Sequence, residues 1–178
     1  MTAHAVENTR LVRDDGDRRR FLAQLQLVAE SYGWTCLAVC LLDTHYHLLV
    51  TISDANLARG MQRLNGSFAQ AFNLKYGRKG HLFRSRYYSG AVLTPGHLLM
   101  SVRYIARNAQ DKGYHPVHYL WSSYPGVIGT QPCWPFIARA AVLALFGPSD
   151  VAVRLLRDFI EDSGPPKDAN GTAGVRPP

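Results

Sequence analysis

The stretch Trp34 to Ile52, WTCLAVCLLDTHYHLLVTI, decides the fold. Trp34 to Leu42 is an almost unbroken apolar run of strand length, Asp43-Thr44 interrupts it, and His45 to Ile52 is a second such run. Two buried strands on either side of a short polar break predict a β-hairpin inside a sheet. Side chains alternate faces along a strand, so His45 and His47 share one face while Tyr46, Leu48 and Val50 take the other. Two imidazoles on neighbouring pleats can share a divalent metal ion. A pair of satisfied histidines at a sheet edge would present the same spacing, so this pattern alone leaves both readings open.

Helical periodicity surrounds the hairpin. From Asp17, read as an N-cap, the residues Phe21, Leu22, Leu25, Val28, Ala29 and Tyr32 recur at helical spacing, and Gly33 ends the run. After the hairpin, Leu57, Met61, Leu64, Phe68, Ala71 and Phe72 mark a second helix that closes near Gly77. A basic loop, YGRKGHLFRSRYYS from Tyr76 to Ser89, leads to a predicted short strand around Ala91 to Leu93. Pro95-Gly96 then opens a third helix running to about Asp111, with Gly113 as its stop. An irregular aromatic segment from Leu120 to Gly129 and a helical region from about Pro135 to Asp162, broken near Gly147-Pro148, complete the pattern. The order predicts an α+β fold with an antiparallel sheet and helices packed on it. The expected domain spans residues 1–130, followed by a small C-terminal helical extension over 131–162. Residues 163–178, rich in Gly, Pro and small side chains, are expected to be a disordered tail.

The third helix carries the second chemical clue. Leu98, Val102, Ile105 and Ala109 form its apolar stripe, and Tyr104 lies about 150° from the stripe's centre. His97, Ser101 and Asn108 share the side of Tyr104, with Asn108 one turn further on. A tyrosine nucleophile beside an amide ligand fits this stripe; an exposed aromatic on a solvated face fits it too.

Composition narrows the classes. The 178 residues are 47% hydrophobic and 19% charged, enough apolar content to fill a core. Formal net charge is +7, which points to a polyanionic partner. That charge is local. Arg59, Arg63, Lys75, Arg78, Lys79, Arg84, Arg86, Arg103 and Arg107 all fall between Ala55 and Gln110, where no Asp or Glu occurs, and the remainder of the chain is slightly acidic. Basic residues interleaved with His81, Phe83, Tyr87 and Tyr88 suit phosphate neutralisation and base stacking on a single strand. No stretch has the length of a membrane span or the form of a signal peptide, so no membrane association and a cytoplasmic location are expected. Three cysteines, with Cys36 and Cys40 about 13 Å apart along a strand, agree with a reducing compartment. No zinc-type cysteine spacing, P-loop or serine-hydrolase elbow is present.

Taken in order, DDGDRRRFL at Asp14 to Leu22, CLLDTHYHLLV at Cys40 to Val50, RGMQRLNGSFAQAFN at Arg59 to Asn73, the basic loop, RYIARNAQDKG at Arg103 to Gly113 and WSSY at Trp121 to Tyr124 resemble the REP-associated tyrosine transposases, within the single-tyrosine HUH transposases of bacterial insertion sequences. The resemblance implies an HUH-type, ferredoxin-like antiparallel sheet and a metal-dependent single-stranded DNA endonuclease and strand transferase. It implies His45 and His47 as the HUH pair binding Mg2+ or Mn2+, Tyr104 as the nucleophile, and Asn108 as the amide completing the metal site. Cleavage and rejoining at palindromic hairpin repeats would pass through a 5′-phosphotyrosine link, and the protein would be a monomer or a homodimer. Arg59, Arg63, Arg78, Lys79, Arg84, Arg86, Arg103 and Arg107 are the expected DNA contacts. The chain departs from the family's usual pattern in three places: a shortened first strand at HAVENTR, Asp43-Thr44 where Pro-Asn is common, and Ala109 where proline often follows the asparagine. A non-catalytic nucleic-acid-binding protein derived from such a transposase is the alternative. A water-using metallonuclease at the histidine pair is a third and weaker option.

Overall fold

The computed structural model describes residues 1–7 and 9–162. Its centre is a three-stranded antiparallel sheet in the order β1-β3-β2, with β1 Thr2–His4, β2 Thr35–Leu41 and β3 His45–Thr51. The expected hairpin is β2 and β3, and β3 becomes the central strand because β1 pairs with its other edge. The register sets Thr2 opposite His47, Ala3 opposite Tyr46 and His4 opposite His45. Cys40 faces His47 across the hairpin. Residues paired across strands share a face, so Thr2, His4, His45, His47 and Cys40 belong to one side of the sheet.

Helices α1 (Asp15–Tyr32) and α2 (Leu57–Tyr76) cover the other side. Phe21 lies 4.7 Å from the Tyr46 ring and 5.3 Å from Phe68, and the Tyr46 hydroxyl donates to Asn65 of α2 at 2.7 Å. This layer is sealed: Phe21, Leu25, Tyr46, Leu48, Leu64 and Phe68 are all essentially solvent-free. The N-cap of α1 is Asp14 rather than the expected Asp17. Asp14 Oδ1 accepts from Asp17 N at 2.8 Å, while the buried Asp17 turns back to accept from Arg13 N and from Lys75 and Tyr76 at the end of α2. The start of α2 is fixed to the end of α1. Trp34 donates to Asn56, Asn56 donates to the Tyr32 carbonyl, and the Trp34 ring covers Gly60 so closely that a Cβ there would stand 2.1 Å from it.

On the histidine side, α3 (Pro95–Arg107) lies across β2 and β3, capped by Thr94 and continued by a 3-10 turn over Asn108–Lys112 that Gly113 ends at φ 80°. Val102, Ile105 and Ala109 of the expected stripe are buried, with Leu98 partly so. The predicted strand at Ala91 to Leu93 is absent. The short β1 is instead partnered by the basic loop: Thr2 and Tyr88 exchange both backbone hydrogen bonds, Arg84 N donates to the His4 carbonyl, and Val6 N donates to the Leu82 carbonyl. With β1 only three residues long, pairing ends before residue 91 is reached. The free edge of β2 is covered in turn by Trp121 to Ser123, whose Ser123 bonds Val39 through both backbone and hydroxyl.

Part of the segment expected to be irregular is a short helix, α4 (Tyr124–Ile128), and the C-terminal region resolves into α5 (Arg139–Ala144) and α6 (Ser149–Glu161). Val142, Leu156 and Ile160 of these helices join the same hydrophobic cluster as Val39 and Leu41. The tail from Ser163 to Pro178 lies outside the described residues. Cys36 and Cys40 are buried free thiols, and burial pushes both up to about 12. No helix among the described residues is long and apolar enough to cross a membrane.

Candidate active site

Strand alternation and strand register build the site. His45 and His47 meet edge to face with ring centres 5.0 Å apart. The next ring beyond His47 is Tyr104 of α3, again edge to face at 5.2 Å. Tyr104 is 50% exposed, whereas His47 beside it is 5% exposed, so the phenol stands at the rim of a nearly closed imidazole. Asn108 is buried where α3 tightens into the 3-10 turn, and its side chain is close enough to both histidines to act on their protonation. Tyr104 therefore reaches the histidine face within one protomer.

The outward nitrogens of the two rings are engaged. Thr2 Oγ1 lies 2.9 Å from His47 Nδ1, and Thr44 Oγ1 lies 2.9 Å from His45 Nδ1. Nε2 of His47 is buried without a hydrogen-bond partner. Such an orphaned nitrogen costs stability unless a ligand meets it. Burial, followed by the neighbouring His4, holds His45 down at about 4; burial, followed by His45, holds His47 at about 3. Both rings are thus neutral near pH 7, the state in which an imidazole binds a cation. Among the described residues no group of three or more His, Cys, Asp or Glu side chains could hold a metal. The two imidazoles and the Asn108 amide are the donors that fit, an N/O set suited to a divalent ion.

His4 adjoins the candidate site and is not singled out by the sequence reading. It stacks on His45 at 4.5 Å, opposite it in the strand register, and burial and the nearby Arg84 lower its basicity. Its signal in the sequence is weak, because only the pairing of β1 with β3 brings it there.

The basic residues separate into groups. Arg84 and Arg86 are exposed on the loop that runs beside β1, next to His4. Lys79 is exposed on the same loop, and Arg78 is partly buried against Asn73, Thr9 and the Phe72 ring. Arg59 and Arg63 are exposed on α2, the layer opposite the histidines. Arg103 departs most from its expected role. It is 5% exposed, donates to the Asp162 carbonyl at 2.7 Å and lies over the Phe159 ring, so the side chain joins α3 to α6 instead of meeting solvent. Arg107 reaches the same carbonyl at 2.9 Å and also bonds Gln110.

No curated protein matches the chain. Among solved structures, it is similar to a REP-associated tyrosine transposase bound to a REP hairpin, with 16% identity and a TM-score of 0.62 over 76% of this chain and 80% of that one. At that identity the likeness establishes the fold. The family model for IS200-like transposases matches residues 3–108, a span that begins beside His4, contains the histidine pair and Tyr104, and ends on Asn108. With more than half of its length and every candidate site side chain from His4 to Asn108 inside that match, the chain belongs to the IS200-like transposase family.

Proposed function

We propose that this protein is a metal-dependent single-stranded DNA endonuclease and strand transferase, with Tyr104 as its nucleophile. The observation that carries the reading is the meeting, within one protomer, of a half-exposed tyrosine with two neutral histidines and an amide, one histidine nitrogen being buried and unpartnered. His45, His47 and Asn108 would hold Mg2+ or Mn2+. A divalent ion there would supply Lewis-acid withdrawal of charge from a scissile phosphate.

The chain's own residues account for the rest. Tyr104, half exposed, gives up its phenolic proton to solvent and its oxygen attacks the phosphorus in line. A P–O bond forms to the tyrosine as the P–O bond to the departing 3′-oxygen breaks, and that oxygen takes up a proton. The products are a 5′-phosphotyrosine and a free 3′-hydroxyl. The phosphodiester energy is kept in the link, so a second 3′-hydroxyl can reverse the step on a new strand without ATP.

The substrate class follows from the loop charge and from the relative bound to a REP hairpin: a single strand folded into a palindromic hairpin. Arg84 and Arg86 would meet its backbone beside His4, with Lys79 and Arg78 behind them, and Arg107 at the end of α3. Arg59 and Arg63 would serve only a strand that wraps to the opposite layer. Arg103 is left out of this set because its guanidinium is buried. The test is incubation of the purified protein with a hairpin oligonucleotide and Mn2+, followed by denaturing electrophoresis. A covalent protein–DNA adduct is expected, absent without metal and absent in Tyr104→Phe. Hairpin binding with no cleavage under any metal would identify a binding-only relative, and cleavage without an adduct would identify a water-using nuclease.

A further inference from the structure

We propose that Thr2 and Thr44 are positioning residues that set the tautomers of His47 and His45. Each hydroxyl accepts the Nδ1–H of one ring, which leaves Nε2 of both rings unprotonated. The inference rests on the ligand roles given to the two histidines above, and it concerns side chains outside the proposed catalytic set.

A neutral imidazole carries one proton, and the nitrogen that holds it cannot bind a cation. In water the proton favours Nε2, the wrong nitrogen for a ligand that binds through Nε2. A threonine hydroxyl can donate or accept, so the two 2.9 Å contacts do not by themselves fix the direction. Burial at His47 does. A proton on its Nε2 would be a buried donor that makes no hydrogen bond in this structure, whereas a proton on Nδ1 has Thr2 Oγ1 in place. His45 makes the same hydroxyl-to-Nδ1 contact with Thr44, and the proposed proton placement on that ring is the same.

Both threonines are held by backbone that has little freedom. Thr2 sits opposite His47 in the register, and its N–H and carbonyl are both bonded to Tyr88 of the basic loop. Thr44 lies in the hairpin turn, and its carbonyl accepts from Ala5 N at 2.8 Å. The preceding Asp43 is anchored by an ion pair with Arg18, and its carbonyl accepts from Leu11 N and Val12 N. Rigid support of this kind is what an orienting group requires.

The test is the histidine ring nitrogen spectrum of the metal-free protein by long-range proton–nitrogen correlation, paired with Mn2+ titration without DNA. The wild type should show protonated Nδ1 and unprotonated Nε2 at both His45 and His47. Thr2→Val should move the proton to Nε2 of His47 alone, and Thr44→Val should do the same at His45. Each variant should weaken Mn2+ binding by about 10-fold or more. Thr2→Ser and Thr44→Ser, which restore the hydroxyl, should return both readouts to the wild-type values. A merely structural role would lower thermal stability without moving either tautomer. Protonated Nε2 at either histidine of the wild type overturns the proposal, and that reading needs no variant to fold. Valine variants with unchanged tautomers and unchanged Mn2+ affinity overturn it as well. A wild type with the expected tautomers but no Mn2+ binding would instead refute the metal-site reading of the histidines and leave the threonine assignment standing.

Discussion

Tyr46 and His47 are neighbours in one strand, and their surroundings could hardly differ more. Tyr46 points into the α1/α2 layer, where Phe21 and Phe68 enclose it and Asn65 satisfies its hydroxyl. His47 points toward α3, almost equally buried, yet one of its nitrogens has no partner and the tyrosine beside it is half exposed. Tyr46 completes its interactions inside the fold; His47 leaves a polar atom to be met from outside. Proteins tolerate such an uncompensated group where something binds. The difference teaches that two neighbouring side chains of nearly equal burial are told apart by whether their polar atoms are met.

This contrast can be broken in both directions. The largest effect belongs to Tyr104→Phe, which should abolish the covalent DNA adduct while leaving the melting temperature within a degree or so of wild type, since only an exposed hydroxyl is lost. Phe21→Ala should do the reverse. Emptying the sealed layer should cost about 3–5 kcal/mol in urea unfolding, with adduct yield per folded molecule unchanged. If both substitutions damaged stability and chemistry alike, the two faces would not be separate.

A smaller effect tests the same division among the basic residues. Arg84→Ala and Arg86→Ala should each weaken hairpin binding and lower the slope of log K against log salt by about 1, measured by fluorescence anisotropy. Arg103→Met should leave that slope unchanged and reduce stability instead, because its guanidinium joins α3 to the Asp162 carbonyl. The smallest effect is acidic unfolding of the α1/α2 layer. Lys75 and the Asp17 backbone N–H hold the Asp14 carboxyl down at about 2, and Asp17 is lowered as well by Lys75 and the Arg13 backbone N–H against the opposing effect of burial. Folded values below the unfolded ones mean that this stabilisation is complete above about pH 4 and lost as pH falls toward 2. Urea midpoints should decline over that window, and Asp14→Asn should flatten the decline.

Much of this arrangement is legible in the amino-acid sequence because it is written in local periods. Alternation places His45 and His47 on one face, a 3.6-residue repeat puts Tyr104 and Asn108 on the side of α3 away from its apolar stripe, and Gly33, Gly77 and Gly113 end their helices in the left-handed region. What the sequence conceals is non-local. His4 and Thr2 join the site only through the register of β1 against β3, a pairing of three residues with no periodicity to announce it. The absent strand at Ala91 to Leu93 follows from the same short pairing. Arg103 reads as one more cation in an acid-free stretch, and only the docking of α6 shows that it is spent inside the fold. The shift of the cap from Asp17 to Asp14 reflects a tertiary demand, since Asp17 is needed by the end of α2.

The central claim is that Tyr104 and the histidine pair of one protomer form a single reaction centre. It is tested most directly by mixing Tyr104→Phe protein with His45→Ala protein, distinguished by size, and assaying adduct formation on a hairpin oligonucleotide with Mn2+. Each variant alone should be inactive and wild type active, and the mixture should form no adduct, because neither chain carries a complete centre. An adduct on the His45→Ala chain, appearing only in the mixture, would mean that a partner supplies the histidines, and would contradict the account.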